Sequence, residues 1–207
     1  MFSIFQTTSP VPPWNKGKLI GQKRPLTVRH VWEVRTFLRI RKKARDLALF
    51  NFALDSKLRG CDVVAAKMGE IAPNGYSQQR AVIRQKKTGR PVKFELTNYT
   101  RSSIDLYLKY RKNRDCEYLF PGQKPNEHLT TRQYSRLLHG WLKLIDLDPS
   151  EYGTHSLRRT KATMIYRQTG NLRAVQLLLG HSKIESTVRY LGVDMDDALE
   201  LSEKVDI

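Results

Sequence analysis

Cysteine and negative charge are both scarce in this 207-residue chain. The two cysteines, Cys61 and Cys116, lack the close Cys or His spacing that a zinc site or a disulfide framework needs. They read as two buried thiols in a reducing compartment. No apolar run approaches the ~20 residues of a membrane span. The opening stretch MFSIFQTTSPVPPWNKGK has neither the charged start nor the apolar core of a secretion signal. These absences set the expectation of a cytoplasmic protein with no membrane contact, no metal site and no cofactor. Acidic residues number 20 against 37 lysines and arginines, a formal net charge of +17. A cationic field of that size calls for a polyanionic partner, most simply nucleic acid. Charge alone does not separate DNA from RNA.

The charge is unevenly spread. Residues 1–100 hold 20 basic and 6 acidic side chains, residues 101–191 hold 16 and 8, and residues 192–207 hold 1 and 6. Residues 1–26 read as a basic arm, because Pro10, Pro12, Pro13 and Pro25 discourage regular structure. Residues 27–191 read as one domain, and 192–207 as an acidic tail with Met195, Ala198, Leu199 and Leu201 on one helical face. Within the domain, TVRHVWEVRTFLRI has helical spacing, and ARDLALFNFALDSKL is apolar almost all round, the mark of a buried helix. RAVIRQ and PVKFEL flank the turn KKTGR and predict a hairpin, preceded by a short strand near 69–72. Thr97 is a cap candidate for the helix that follows, and LTTRQYSRLLHGWLKLI is another helix. From Thr154 three helices follow closely, punctuated by Gly170, Gly180 and Gly192. The fold class predicted is α+β, mainly α-helical with a small antiparallel sheet.

Several polar residues invite a chemical reading. His155 and Arg158 stand three apart on a predicted helix and share a face, an imidazole beside a guanidinium that can fork onto phosphate oxygens. His181 follows a helix-ending glycine, and Tyr190 lies nine residues later. Arg59 ends the buried helix, with Asp62 placed to hold its guanidinium. Lys87 sits at the hairpin tip. Each alone is more readily a packing residue, a cap, an ion pair or a solvated lysine. Together they supply fixed cations, a mobile cation, two imidazoles and a phenol, which suits phosphodiester cleavage by a tyrosine.

In order, type and spacing the set resembles the tyrosine recombinase, or phage integrase, family. KLRGCD is similar to its first box, with Asp62 where the family more often has glutamate. QKKTGRPVKFEL resembles its lysine hairpin, with Lys87 favoured over Lys86 by the Lys-Thr-Gly form. THSLRRTKAT resembles the HxxR box, and LLLGHSKIESTVRYL the stretch from LGH to the tyrosine. The resemblance covers about residues 27–207. It implies the DNA breaking-rejoining fold, with catalytic Arg59, Lys87, His155, Arg158, His181 and Tyr190 and a supporting Asp62. Lys86, Arg90, Arg159 and Lys161 are the accompanying candidates for DNA contact. Only 26 residues precede the domain, too few for the core-binding domain of most integrases; the short fimbrial-switch recombinases share that brevity.

The resemblance also implies a reaction. Tyr190 would attack the scissile phosphate and form a 3′-phosphotyrosine, conserving the bond energy so that rejoining needs no ATP. Arg59, Arg158 and His181 would carry the transition-state charge. Lys87 would protonate the leaving 5′-oxygen, and His155 would assist proton transfer from Tyr190. Cations near Tyr190 would make a phenol that normally titrates near ~10 reactive at neutral pH. Arg158→Ala is expected to lower cleavage by orders of magnitude while leaving folding normal. The partners implied are double-stranded DNA, a homo-oligomer of two to four copies on DNA, with the acidic tail docking between subunits, and accessory DNA-bending proteins. Two alternatives remain open: a type IB topoisomerase-like nicking-closing enzyme, and a DNA-binding regulator or remnant impaired in catalysis.

Overall fold

The computed structural model describes residues 22–112, 115–192 and 202–203. Among these lie nine α-helices and one hairpin: α1 (Val28–Ile40), α2 (Ala44–Ser56), α3 (Gly60–Val64), α4 (Met68–Ile71), β1 (Arg80–Arg84), β2 (Pro91–Glu95), α5 (Asn98–Tyr110), α6 (Thr131–Lys143), α7 (Thr154–Thr169), α8 (Leu172–Leu179) and α9 (Ile184–Leu191). The mainly helical class with a small antiparallel sheet is the one the sequence pattern predicts. The strands pair antiparallel, Arg80 opposite Glu95 and Arg84 opposite Pro91. Their alternation sends Ala81, Ile83, Val92 and Phe94 inward.

Helix α2 is the axis of the domain. Every residue from Leu47 to Ser56 is buried, which matches its all-round apolar sequence. Phe50 meets Trp141 of α6 edge-on, and Phe52 meets Phe94 of β2 and Phe120. Thr27, Thr97 and Thr130 accept from backbone N–H groups in the first turns of α1, α5 and α6, as capping threonines do. At α7 the cap position belongs to Gly153, with Thr154 the first helical residue.

The short strand predicted near 69–72 is instead the single helical turn α4. Glu70 reaches back to the Lys67 N–H at 3.0 Å, and Met68 N–H donates to the Glu117 carbonyl. That one-sided cap satisfies the turn locally, and the apolar pair Met68 and Ile71, three residues apart, shares one helical face, whereas on a strand it would split between two. Cys116 is buried as expected, whereas Cys61 is only half-buried.

The last residues of the N-terminal stretch run against α7. Leu26 is buried and its N–H donates to Thr160 Oγ1 at 2.8 Å, while Arg24 N–H donates to the Glu151 carbonyl. The rest of the predicted arm and nearly all of the acidic tail lie outside the described residues. No helix among those described is long and apolar enough to cross a membrane.

Candidate active site

Arg158 is the hub. It is 2% exposed, on the buried face of α7. Its guanidinium donates to the Lys57 carbonyl and, at 2.8 Å, to the Leu179 carbonyl. Both acceptors lie at helix ends made by local backbone geometry. Lys57 follows α2 in the left-handed region (φ 53°), which costs a non-glycine residue ~1 kcal/mol but turns its carbonyl toward Arg158. Lys57 is anchored there by its own buried ammonium, which donates to the Asp55 carbonyl at 2.6 Å and to the Glu95 carboxylate at 3.1 Å. Leu179 ends α8, where Gly180 takes φ +65°. A Cβ on Gly180 would lie 2.6 Å from Val92 Cγ2, so this glycine also lets the end of α8 close onto β2.

His181 follows directly. Its Nε2 lies 3.4 Å from Arg158 Nη2 and its Nδ1 lies 3.1 Å from Thr187 Oγ1. Gln176, itself buried, donates to the His181 carbonyl and fixes the turn. Burial, with Arg158 and Arg59 nearby, pushes the His181 imidazole down to about 4. His155 is also held below its ordinary value, by burial first and then by Arg158, Arg59, Arg159 and Lys87. Both rings are therefore neutral at pH 7.

Tyr190, on α9, completes the group. Its hydroxyl donates to the His155 carbonyl at 3.3 Å, and its ring meets His181 edge-on with centroids 5.5 Å apart. Arg158 and Arg159 lie 5.7 and 5.0 Å from the ring centroid. The expected acidification of this phenol is not found. Burial outweighs the arginines and holds the hydroxyl above its ordinary value, and a phenol donating to a carbonyl is kept protonated.

Arg59 caps α3 with its backbone and sends Nη1 to Gln85 Oε1 at 2.6 Å. Asp62 does not clamp it; among the described residues no ion pair joins the two. Asp62 Oδ1 instead accepts from the Lys86 N–H at 2.9 Å, so this buried carboxylate fastens the base of the hairpin turn, and its Oδ2 has no partner. The turn is closed by Gln85 N–H to the Arg90 carbonyl and Gly89 N–H to the Gln85 carbonyl, with Gly89 at φ +65°. Lys86, Lys87 and Arg90 stand exposed along it.

Two residues expected to contact DNA are occupied otherwise. Lys161 forms ion pairs with Asp55 at 2.6 Å and Glu95 at 2.9 Å, and those carboxylates raise its ammonium above the ordinary lysine value against the cost of burial. Arg159 donates to the Lys23 carbonyl at 2.5 Å and to the Gln22 side chain, while Gln22 donates to the Arg189 carbonyl of α9. Sequence reading passed over Gln85, Gln176, Thr187 and the Lys57 carbonyl. None carries a charge or a period, and only the position of Gln85 just before the predicted turn was a signal.

Residues 28–196 match the phage integrase family. The chain belongs to that family. It is 28% identical over 166 residues to the probable integrase/recombinase YoeC of Bacillus subtilis, spanning 80% of this chain and 87% of that protein. To the tyrosine recombinase XerC of Leptospira interrogans it is 32% identical over 169 residues, spanning 77% of this chain but only half of the relative. The fold matches the crystal structure of XerA recombinase with a TM-score of 0.73 at 18% identity, covering 89% of this chain and 66% of that one. It also matches XerH site-specific recombinase bound to palindromic difH substrate in a post-cleavage complex, with a TM-score of 0.70 at 19% identity, over 87% and 52% of the two chains.

Proposed function

We propose that the chain is a site-specific DNA recombinase that cuts and rejoins double-stranded DNA through a 3′-phosphotyrosine, for integration, excision or inversion. The carrying observation is the convergence of Tyr190 with His155, Arg158 and His181 at the junction of α7, α8 and α9, with a basic hairpin beside it.

The geometry supports the following course. A scissile phosphate enters between Arg59, Arg158 and the hairpin, and its anionic oxygens take up guanidinium N–H groups. Tyr190 Oη leaves the His155 carbonyl and attacks phosphorus. The neutral His155 imidazole is the acceptor for the phenolic proton, which offsets the raised proton affinity of the half-buried phenol. The P–O5′ bond breaks and Lys87 supplies a proton to the departing oxygen. Rejoining reverses each step with the 5′-hydroxyl of a second strand as nucleophile. In the resting site His181 Nε2 accepts from Arg158; charge building on the phosphate raises the imidazole's proton affinity, so that Nε2 gives up the Arg158 contact, takes a proton from solvent and donates it to a phosphate oxygen as a hydrogen bond.

Phosphate contacts along the flank are assigned to Lys86 and Arg90, which project from the hairpin. Assembly of two to four copies on DNA, accessory DNA-bending proteins and docking of residues 192–207 between subunits belong to the same proposal. Deleting residues 194–207 should weaken cooperative assembly on DNA in a gel-shift titration, and unchanged cooperativity would remove that part.

The direct experiment is covalent capture. A pool of nicked duplexes with randomised sequence is incubated with the protein and denatured, and the attached DNA is sequenced. A recombinase yields a protein–DNA adduct enriched in one sequence. Adduct of every sequence, together with relaxation of plasmid lacking any selected site, would favour a nicking-closing enzyme. No adduct would favour a DNA-binding regulator.

A further inference from the structure

The buried amide of Gln85 ties together three parts of the site that lie far apart in the chain. The side chain is wholly buried at the end of β1. Its Oε1 accepts from Arg59 Nη1 at 2.6 Å and from Thr88 Oγ1, within the lysine turn, at 2.9 Å. Its Nε2 lies 3.4 Å from the Leu179 carbonyl, the same carbonyl that Arg158 grips at 2.8 Å. Its main chain closes the turn at both ends.

Burying an uncharged amide that only filled space would be costly, because each unpaired polar atom loses its water. Here the oxygen is used twice, and one user is a guanidinium standing at the mouth of the site. An arginine has long, flexible side-chain torsions, and one charge-assisted bond at its Nη1 removes much of that freedom. The remaining Nε–Nη2 edge then points in one direction. Thr88 restrains the amide from the other side, so Arg59 and the turn carrying Lys87 share one pivot.

We propose that Gln85 is a positioning residue that sets the Arg59 guanidinium toward the scissile phosphate. The proposal rests on the recombinase reading above. It makes no claim that Gln85 touches DNA.

The test uses full-length protein and the duplex obtained by covalent capture with the wild type. Single-turnover cleavage is compared on that duplex and on one whose scissile phosphate is a methylphosphonate, in which a methyl group replaces one non-bridging oxygen and removes the charge. Gln85→Met has nearly the same length and no hydrogen-bonding amide. It is expected to slow phosphodiester cleavage on the order of 10- to 100-fold, the usual effect of a misplaced catalytic group. On the methylphosphonate, where Arg59 has no charge to meet, wild type and variant should agree within about twofold. In an Arg59→Ala background, Gln85→Met should add nothing beyond about twofold. Should Gln85→Met fail to melt cooperatively, Thr88→Val at the exposed turn carries the same test, with a smaller loss showing the same dependence on phosphate charge. Equal slowing on both duplexes, or wild-type cleavage by the variant, overturns the positioning role. If the wild type captures no duplex, the recombinase reading falls first and this role falls with it.

Discussion

Arg158 Nη2 and His181 Nε2 lie 3.4 Å apart, and a guanidinium can only donate. His181 must therefore accept at Nε2 and carry its proton on Nδ1, facing Thr187 Oγ1 at 3.1 Å. The imidazole is neutral, in agreement with its depression to about 4. Nitrogen-15 and proton NMR of the DNA-free protein should show the Nδ1–H tautomer at pH 7. His181 should titrate near 4 and His155 below 6.5. An imidazolium at His181 at pH 7 would contradict this arrangement.

The same depression makes stability depend on pH. Unfolded histidine binds its proton near ~6.5, whereas folded His181 resists protonation down to about 4. Between those values the unfolded state holds more protons, so stability falls as pH is lowered through the window. His155 acts in the same direction. Asp55 and Glu95, held below 3.8 and 4.5, add their losses only at lower pH. The melting temperature should thus drop by about a few degrees between pH 7 and pH 5. In His181→Asn the drop should be smaller, measured by calorimetry across the same range, and an identical slope would count against the assignment.

Arg158 cannot be removed without structural cost. Arg158→Ala strips the donor from the buried Lys57 carbonyl, worth ~1–3 kcal/mol when left unpaired, leaves the Leu179 carbonyl only its longer contact with Gln85, and empties a large buried volume. The expectation of normal folding gives way to a destabilisation of about 3 kcal/mol or more. Urea denaturation measures it. A midpoint equal to wild type would show that the carbonyls find other partners.

Lys87 and Lys86 are neighbours on one exposed turn and differ in tethering. The Lys86 backbone is fastened to Asp62, whereas Thr88, after Lys87, is held by Gln85. Lys87→Ala should slow cleavage on the order of 100-fold and recover on a duplex with a 5′-thiolate leaving group, which needs no proton. Lys86→Ala should weaken binding with little effect on the cleavage step. Rescue of Lys86→Ala instead would exchange their roles.

Much of this was legible in the sequence. The Thr97 cap located the start of α5, helix-ending glycines bounded α7 to α9, and the family resemblance grouped Arg158, His181 and Tyr190. What stayed hidden is what needs three-dimensional partners. Asp62, three residues from Arg59, looked like its clamp, yet α3 turns the carboxylate toward the hairpin and leaves Arg59 to Gln85. Lys161 looked like a phosphate ligand because charge in sequence does not reveal that Asp55 and Glu95, over 60 residues away, meet it. The Tyr190 phenol looked acidified by its arginines because burial, which opposes them, is a property of the packed domain. Lys57 is a left-handed lysine with a buried ammonium, which no periodicity announces.

The central claim is that the Tyr190 oxygen becomes covalently joined to a 3′-phosphate. Captured protein–DNA adduct, digested with trypsin and nuclease and sequenced by mass spectrometry, measures that directly. The account predicts a nucleotide attached at Tyr190, and no adduct from Tyr190→Phe that still binds the same duplex. A nucleotide on any other residue, or an adduct formed by the phenylalanine variant, would contradict it.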